Sequence, residues 1–135
     1  MRAERAVKAL LDAAAGVTAL VGAGSNARIY GGAAPQEAAA PLIVYSLQAA
    51  EREPVMDPVA ERIVQSLIDV LCVDRTYGAL KHLAEQVRLA LNGARGTHGG
   101  TNVLGIVIEA EGPDQYEPQL DEFAKVWTFR VMHTE

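Results

Sequence analysis

Residues 62–73, Arg62-Ile63-Val64-Gln65-Ser66-Leu67-Ile68-Asp69-Val70-Leu71-Cys72-Val73, decide how this chain folds. Side chains alternate across an extended backbone, so Ile63, Leu67 and Leu71 share one face, and Val64, Ile68, Val70 and Cys72 the other. Upstream, Leu42-Ile43-Val44-Tyr45-Ser46-Leu47 is rich in β-branched and aromatic residues, and Pro41 stands where a strand can begin. Glu53-Pro54-Val55-Met56-Asp57-Pro58 breaks the pattern twice. Two long strands joined by about ten residues read as an antiparallel hairpin.

Working outward, the first segment has helical spacing. Val7, Leu10, Leu11 and Ala14 fall at i, i+3, i+4 and i+7, with Arg5, Lys8 and Asp12 off that stripe. Gly16 is expected to end this helix, and Val17, Leu20 and Val21 repeat the spacing in a short second one before Gly22. Arg28-Ile29-Tyr30 reads as a brief strand, followed by an irregular stretch from Gly31 through Pro41. Asp74 is the expected N-cap of a second long helix, whose stripe is Leu80, Leu83, Ala84, Val87 and Leu91 and whose stop is Asn92-Gly93. Residues 93–102 contain Gly96, Gly99 and Gly100 and no large apolar side chain, so a mobile loop is expected there. Val103-Leu104-Gly105-Ile106-Val107-Ile108 gives a third strand. A fourth runs from Phe123 to His133, with Phe123, Trp127, Phe129 and Val131 on one face. The expected fold is α+β: a mainly antiparallel four-stranded sheet with the N-terminal and central helices packed on it.

Composition narrows the function classes. With 135 residues the chain is read as one domain, residues 1–135, long enough to bury a core without metal or disulfide support. Twelve Lys+Arg against 17 Asp+Glu leave a net charge of −5, which argues against a protein whose task is to grip nucleic acid. The single cysteine, Cys72, excludes an intrachain disulfide and a cysteine zinc site. In its apolar run it reads as a small core hydrophobe, and the compartment as reducing cytosol. Arg2, Arg5 and Lys8 before the apolar residues 13–21 imitate a secretion signal, but Glu4 and Asp12 are wrong for one. No uncharged run reaches the ~20 residues that span a bilayer, so no membrane role is expected.

Chemistry-bearing patterns are sparse. Gly22-Ala23-Gly24-Ser25-Asn26-Ala27 matches the dinucleotide pattern G-x-G-x-x-[GA]. That fingerprint works through a helix whose first amides face a pyrophosphate, and Gly31, Gly32 and Pro35 leave no room for one. His82, His98 and His133 are far apart in sequence and none has a metal-ligand partner at helical spacing. No catalytic, cofactor or metal residue is assigned. Glu109, Glu111, Asp114, Glu117, Asp121 and Glu122 form a late acidic cluster, which reads as a solvated face, a hidden carboxylate pair or a wall that repels phosphate.

Laid out in this order, the chain resembles the tail completion proteins, or tail terminators, of long-tailed bacteriophages and related gene-transfer particles. The resemblance rests on Leu20-Val21-Gly22, Arg28-Ile29-Tyr30 with Pro35, and Pro41-Leu42-Ile43-Val44-Tyr45. It continues through Gln65, Ile68-Asp69-Val70 and Thr76-Tyr77, with Leu83-Ala84, Val87 and Leu91 in the helix. Asp114, Tyr116-Glu117 and the closing Lys125-Val126-Trp127-Thr128-Phe129-Arg130-Val131 complete it. Leu71-Cys72 stands where that family often has an aromatic residue, and the glycine-rich residues 93–102 are long for it.

The resemblance implies a non-enzymatic virion protein, commonly a ring of six, that caps the head-proximal end of the tail tube. Such a ring stops tube growth and docks the head connector, while DNA passes through its lumen without specific binding. Assembly in the host cytoplasm would precede its place at the head–tail junction. The partners implied are further copies of itself, the tail tube protein and the head connector or stopper. Expected contacts to a neighbouring subunit or the tube are Glu53, Val55, Met56 and Asp57 in the hairpin loop, and Arg95, His98 and Asn102 in the glycine-rich loop. Glu109, Glu111, Asp114 and Glu117 are the expected acidic wall of the lumen. Two other readings stay open: a head-closure or connector component of the same particle, and a small nucleotide-binding enzyme built on the glycine motif.

Overall fold

The alternating residues 62–73 become a strand, Ile63–Asp74, in the middle of a single sheet. A computed structural model describes residues 2–52 and 63–134. In chain order its elements are α1 (Arg2–Ala13), α2 (Ala15–Val21), a 3-10 turn (Gly24–Asn26), β1 (Ile29–Gly31), β2 (Leu42–Arg52) and β3 (Ile63–Asp74). There follow α3 (Tyr77–Leu91), β4 (Gly96–His98), β5 (Thr101–Glu111), β6 (Gln115–Glu117) and β7 (Glu122–Thr134). Strands lie in the order β1-β2-β3-β7-β5-β4, and β6 pairs with β7. β1 runs parallel to β2, and every other pairing is antiparallel.

The expected four-stranded, mainly antiparallel sheet is therefore wrong. The class is α+β, but the sheet is mixed and curled and has seven strands among the described residues. The four expected strands are β2, β3, β5 and β7. β1, β4 and β6 hold three residues each, too few for a period of two to stand out. The largest correction falls on residues 93–102. They are no irregular loop: β4 pairs with the start of β5 through Gly96↔Val103, Thr97↔Asn102 and His98↔Thr101. Gly99 and Gly100 make the turn with φ of 58° and 77°, a region glycine enters without steric cost.

Helix ends also moved. α1 stops at Ala13, before Gly16, which lies inside α2. A Cβ there would sit 2.0 Å from the Gln86 side-chain oxygen, so Gly16 permits the close approach of α2 to α3. Thr76, not Asp74, caps α3, accepting the Ala79 N–H at 3.2 Å. Asp74 instead accepts the N–H of its neighbour Arg75 at 2.7 Å.

All three helices contribute to one core. Val7 and Leu11 of α1, Val17 and Val21 of α2, and Leu80, Leu83, Val87 and Leu91 of α3 are fully buried. They pack with Ile68, Val70 and Cys72 of β3, Ile106 of β5, and Trp127, Phe129 and Val131 of β7. The Trp127 indole N–H donates to the Ala84 carbonyl at 3.1 Å, fixing α3 to the sheet at a buried point. Burial also pushes the Cys72 thiol up to about 12, although Lys125, its register partner on β7, pulls the other way.

Candidate functional site

Of the two expected contact loops, the first (Glu53, Val55, Met56, Asp57) lies outside the described residues. The second is the β4–β5 hairpin. Asn102 is exposed on β5, and the His98 ring nitrogen Nε2 is 2.7 Å from the Arg95 carbonyl, which folds that side chain back over its own turn. The hairpin is anchored to α1. Thr101, 1 % exposed, donates its hydroxyl to the Arg2 carbonyl at 2.9 Å. A Cβ on Gly99 would come within 2.6 Å of the Arg5 carbonyl. Arg95, His98 and Asn102 therefore lie on or beside a paired hairpin next to the start of α1, with His98 and Asn102 on opposite faces of it.

The four carboxylates expected to form an acidic wall lie along one edge strip, Glu109 and Glu111 at the end of β5, Asp114 in the link and Glu117 on β6, but Glu109 pairs on the helix-free face and Glu111 on the helix side. Glu109 takes two hydrogen bonds of 2.9 Å from the Arg130 guanidinium, which also donates to Gln65. That fork holds the Glu109 carboxyl below its ordinary value. Glu111 is 2.6 Å from Lys125 Nζ. Asp114 accepts from Lys81 at 3.0 Å and the Tyr77 hydroxyl at 2.8 Å, with Lys125 at 3.3 Å. Lys81 first and Tyr77 second pull its carboxyl down to about 2. Glu117 instead accepts the Gln119 backbone N–H at 3.2 Å. Three of the four are thus locked in ion pairs, and the strip presents far less free charge than its sequence suggests.

Lys125 holds this corner, and sequence reading passed over it. Its parity on β7 matches that of Phe123, Trp127 and Phe129, so a lysine on the buried register was the available signal. It is 4 % exposed, lies 5.3 Å from the centroid of the Trp127 ring, and joins Glu111 and Asp114 to the sheet. Ser66 and His133 carry the same signal. They are 3 % and 4 % exposed, and Ser66 Oγ lies 3.0 Å from His133 Nε2. His133 is thus a buried residue of β7.

The structure does not bring the three histidines together, and the glycine motif opens no α-helix. His82 is exposed on α3, His98 is on the β4–β5 hairpin and His133 is buried on β7. Among the described residues there is no group of three or more His, Cys, Asp or Glu able to hold a metal ion, and no helix long and apolar enough to cross a membrane. After Gly22 the chain makes one 3-10 turn and enters β1 directly. Arg28 ties that turn down. Its side chain donates to the Pro41 and Leu20 carbonyls, at 2.8 and 3.2 Å, joining the end of α2 to the start of β2.

Two open hollows lie at the β2 edge of the sheet, on its helix side. One, of about 540 Å³, runs between α1 and β2 and is lined by Arg5, Lys8, Asp12, Tyr45 and Leu47 among others. A second, of about 300 Å³, continues it past Arg2, Arg52 and Ser66. Leu47 lines both and is 46 % exposed.

A family model described as "Tail completion protein gp17" matches residues 5–133. No curated protein matches the chain. Among solved structures, a chain of "Virion of native gene transfer agent (GTA) particle" superposes with a TM-score of 0.64 at 23% identity. The match covers 96% of this chain and 92% of that one, so the two share a fold over nearly their full lengths.

Proposed function

Because the chain belongs to the tail completion protein gp17 family, we propose that it forms a ring that caps the head-proximal end of a phage-type tail tube. The ring ends tube growth and presents a docking face to the head connector. The observation that carries this reading is the family match over residues 5–133. The role is structural, and no residue is given a catalytic task.

The physics of the domain suits that role. A contact between unlike surfaces generates a closed ring when its rotation divides a full turn, and six copies are the number proposed here. A conduit for DNA works best without a basic lumen, since lysines and arginines facing the channel would hold phosphates. A net charge of −5 meets that requirement. Glu109, Glu111, Asp114 and Glu117 remain the proposed lumen wall, the first three neutralised by Arg130, Lys125 and Lys81 and so neither attracting DNA nor repelling it strongly. Glu53, Val55, Met56 and Asp57, with Arg95, His98 and Asn102, remain the proposed contacts to a neighbouring subunit or the tube.

Electron microscopy of tails made with and without this protein tests the reading. With it, tube ends facing the head should carry a cap and tails should have one length. Without it, tails should lengthen without control and stay unjoined to heads. Label on the portal side of heads that lack tails would instead place the protein among the head-closure components. Met56→Asp should leave the fold intact and give uncapped or unjoined tails; normal infectious particles would remove the hairpin loop from the contact.

A further inference from the structure

We propose that copies of this chain join edge to edge, the outer side of β2 in one copy receiving the outer side of β5 and β6 from the next, so that one sheet continues from subunit to subunit. The proposal rests on the ring reading above and specifies its contact.

β2 offers an edge that is only partly used. The Ile43 N–H donates to the Arg28 carbonyl at 2.9 Å and the Tyr45 carbonyl accepts the Gly32 N–H at 2.8 Å, so alternate residues turn their backbone groups away from β3. Leu47 continues that phase, and the bulge at Gln48 passes it to Ala50 and Arg52. β1 pairs only as far as Tyr45, and among the described residues no strand pairs with the outer side of β2 beyond it. An open edge of this length recruits another strand through its own backbone groups. The adjoining hollows floored by Leu47 give that strand's inward side chains a place between β2 and α1.

The opposite edge has the matching character. Gly93 donates to the Ile106 carbonyl at 2.8 Å, and β4 covers β5 only over Thr101, Asn102 and Val103. Past Ile106, no strand among the described residues pairs with the outer side of β5 or β6. The two edges also differ in charge. Arg2, Arg5, Lys8 and Arg52 line the β2 hollows against Glu4 and Asp12. Glu109, Glu111, Asp114, Glu117, Asp121 and Glu122 surround the other edge against Lys81, Lys125 and Arg130. A basic edge facing an acidic one favours this pairing over either edge meeting its like.

Strand direction agrees. β2 to β3, β3 to β7 and β7 to β5 are three successive reversals, so β2 and β5 point opposite ways. The β5 of one copy can then lie antiparallel to the β2 of the next while both copies keep the same orientation along a common axis. That is a head-to-tail contact, the kind that closes into a ring.

Ala49 and Ala110 are both exposed and lie on the same, helix-free face of the sheet, one on each edge. The double variant A49C/A110C, oxidised in assembled tails, should give a ladder of covalent multimers on a non-reducing gel, while each single variant stays monomeric. Native Cys72 is buried and cannot join in. Tails that are capped by the double variant yet yield no ladder would overturn edge pairing and leave the ring intact. Tails uncapped even by the wild-type protein would overturn both readings. Ala50→Pro gives a second measure, since it removes an outward N–H and spares every bond to β3. Its melting curve should stay near wild type while ring assembly weakens by about tenfold or more; unchanged assembly would sink the proposal.

Discussion

β3 and β7 build two unlike faces from alternate residues of the same strands. Toward the helices they place Ile68, Val70, Phe129 and Val131, all fully buried. The polar groups on that face are paired, Ser66 with His133 and Lys125 with Glu111 and Asp114. Among the described residues no helix covers the other face, which is half-exposed along Gln65, Leu67, Asp69, Leu71, Thr128, Arg130 and Met132. Its polar groups satisfy each other sideways: Thr128 and Gln48 donate to Asp69, and Arg130 bridges Glu109 and Gln65. One face stabilises the domain by removing apolar surface from water. The other holds register with surface hydrogen bonds, and buries only a small apolar cluster of Ala40, Leu42 and Val73 at one end.

If that division is right, substitutions on the two faces should separate widely in unfolding experiments. Phe129→Ala on the buried face should cost about 3–5 kcal/mol, because transfer energy is lost and a cavity remains. Urea unfolding followed by circular dichroism measures it, and a loss below ~1 kcal/mol would mean the core is not where the burial places it. Trp127→Phe keeps an aromatic side chain but removes the donor to the Ala84 carbonyl and part of the buried ring volume, so a loss of about 1–3 kcal/mol is expected. Arg130→Ala on the open face should cost less than ~1 kcal/mol, since its ion pair with Glu109 is solvent-exposed. A loss as large as that of Phe129→Ala would erase the contrast.

The smallest effect sharpens the corner between the faces. The Asp114 carboxyl lies at about 2 in the folded chain against the usual 3.8. A carboxyl depressed by folding stabilises fully above its unfolded value and loses that contribution as the pH falls through the folded one. Acid titration of Asp114→Asn should therefore show a shallower loss of stability between about pH 4 and pH 2 than wild type. Parallel acid curves would mean that Lys81 and Tyr77 do not hold the carboxylate in solution.

Legibility in the sequence followed element length. The stripe Leu80, Leu83, Ala84, Val87 and Leu91 is the buried face of α3, residue for residue, because fifteen residues give a helical period room to declare itself. β2, β3, β5 and β7, of eleven to thirteen residues, were legible for the same reason. Residues 93–102 were misread because their glycines carry no side-chain pattern. What orders them is a backbone bond from Gly93 to Ile106, the Thr101 bond to Arg2, and the fit of Gly99 against Arg5. At the acidic strip the sequence showed the carboxylates and concealed their partners. Lys81 and Arg130 lie 33 and 21 residues from the acids they hold.

By itself the sequence determined the α+β class, the long helices and strands, the core stripes and the resemblance to tail completion proteins, all properties carried by local periodicity or by the order of short motifs. Tertiary structure alone decided the placing of β7 between β3 and β5, the parallel pairing of β1, the buried register of Lys125, Ser66 and His133, and the two open edges of the sheet. The reason is physical. A strand's alternation specifies which side chains share a face, but its neighbours are chosen by contacts between residues far apart in the chain, and those exist only in the folded molecule.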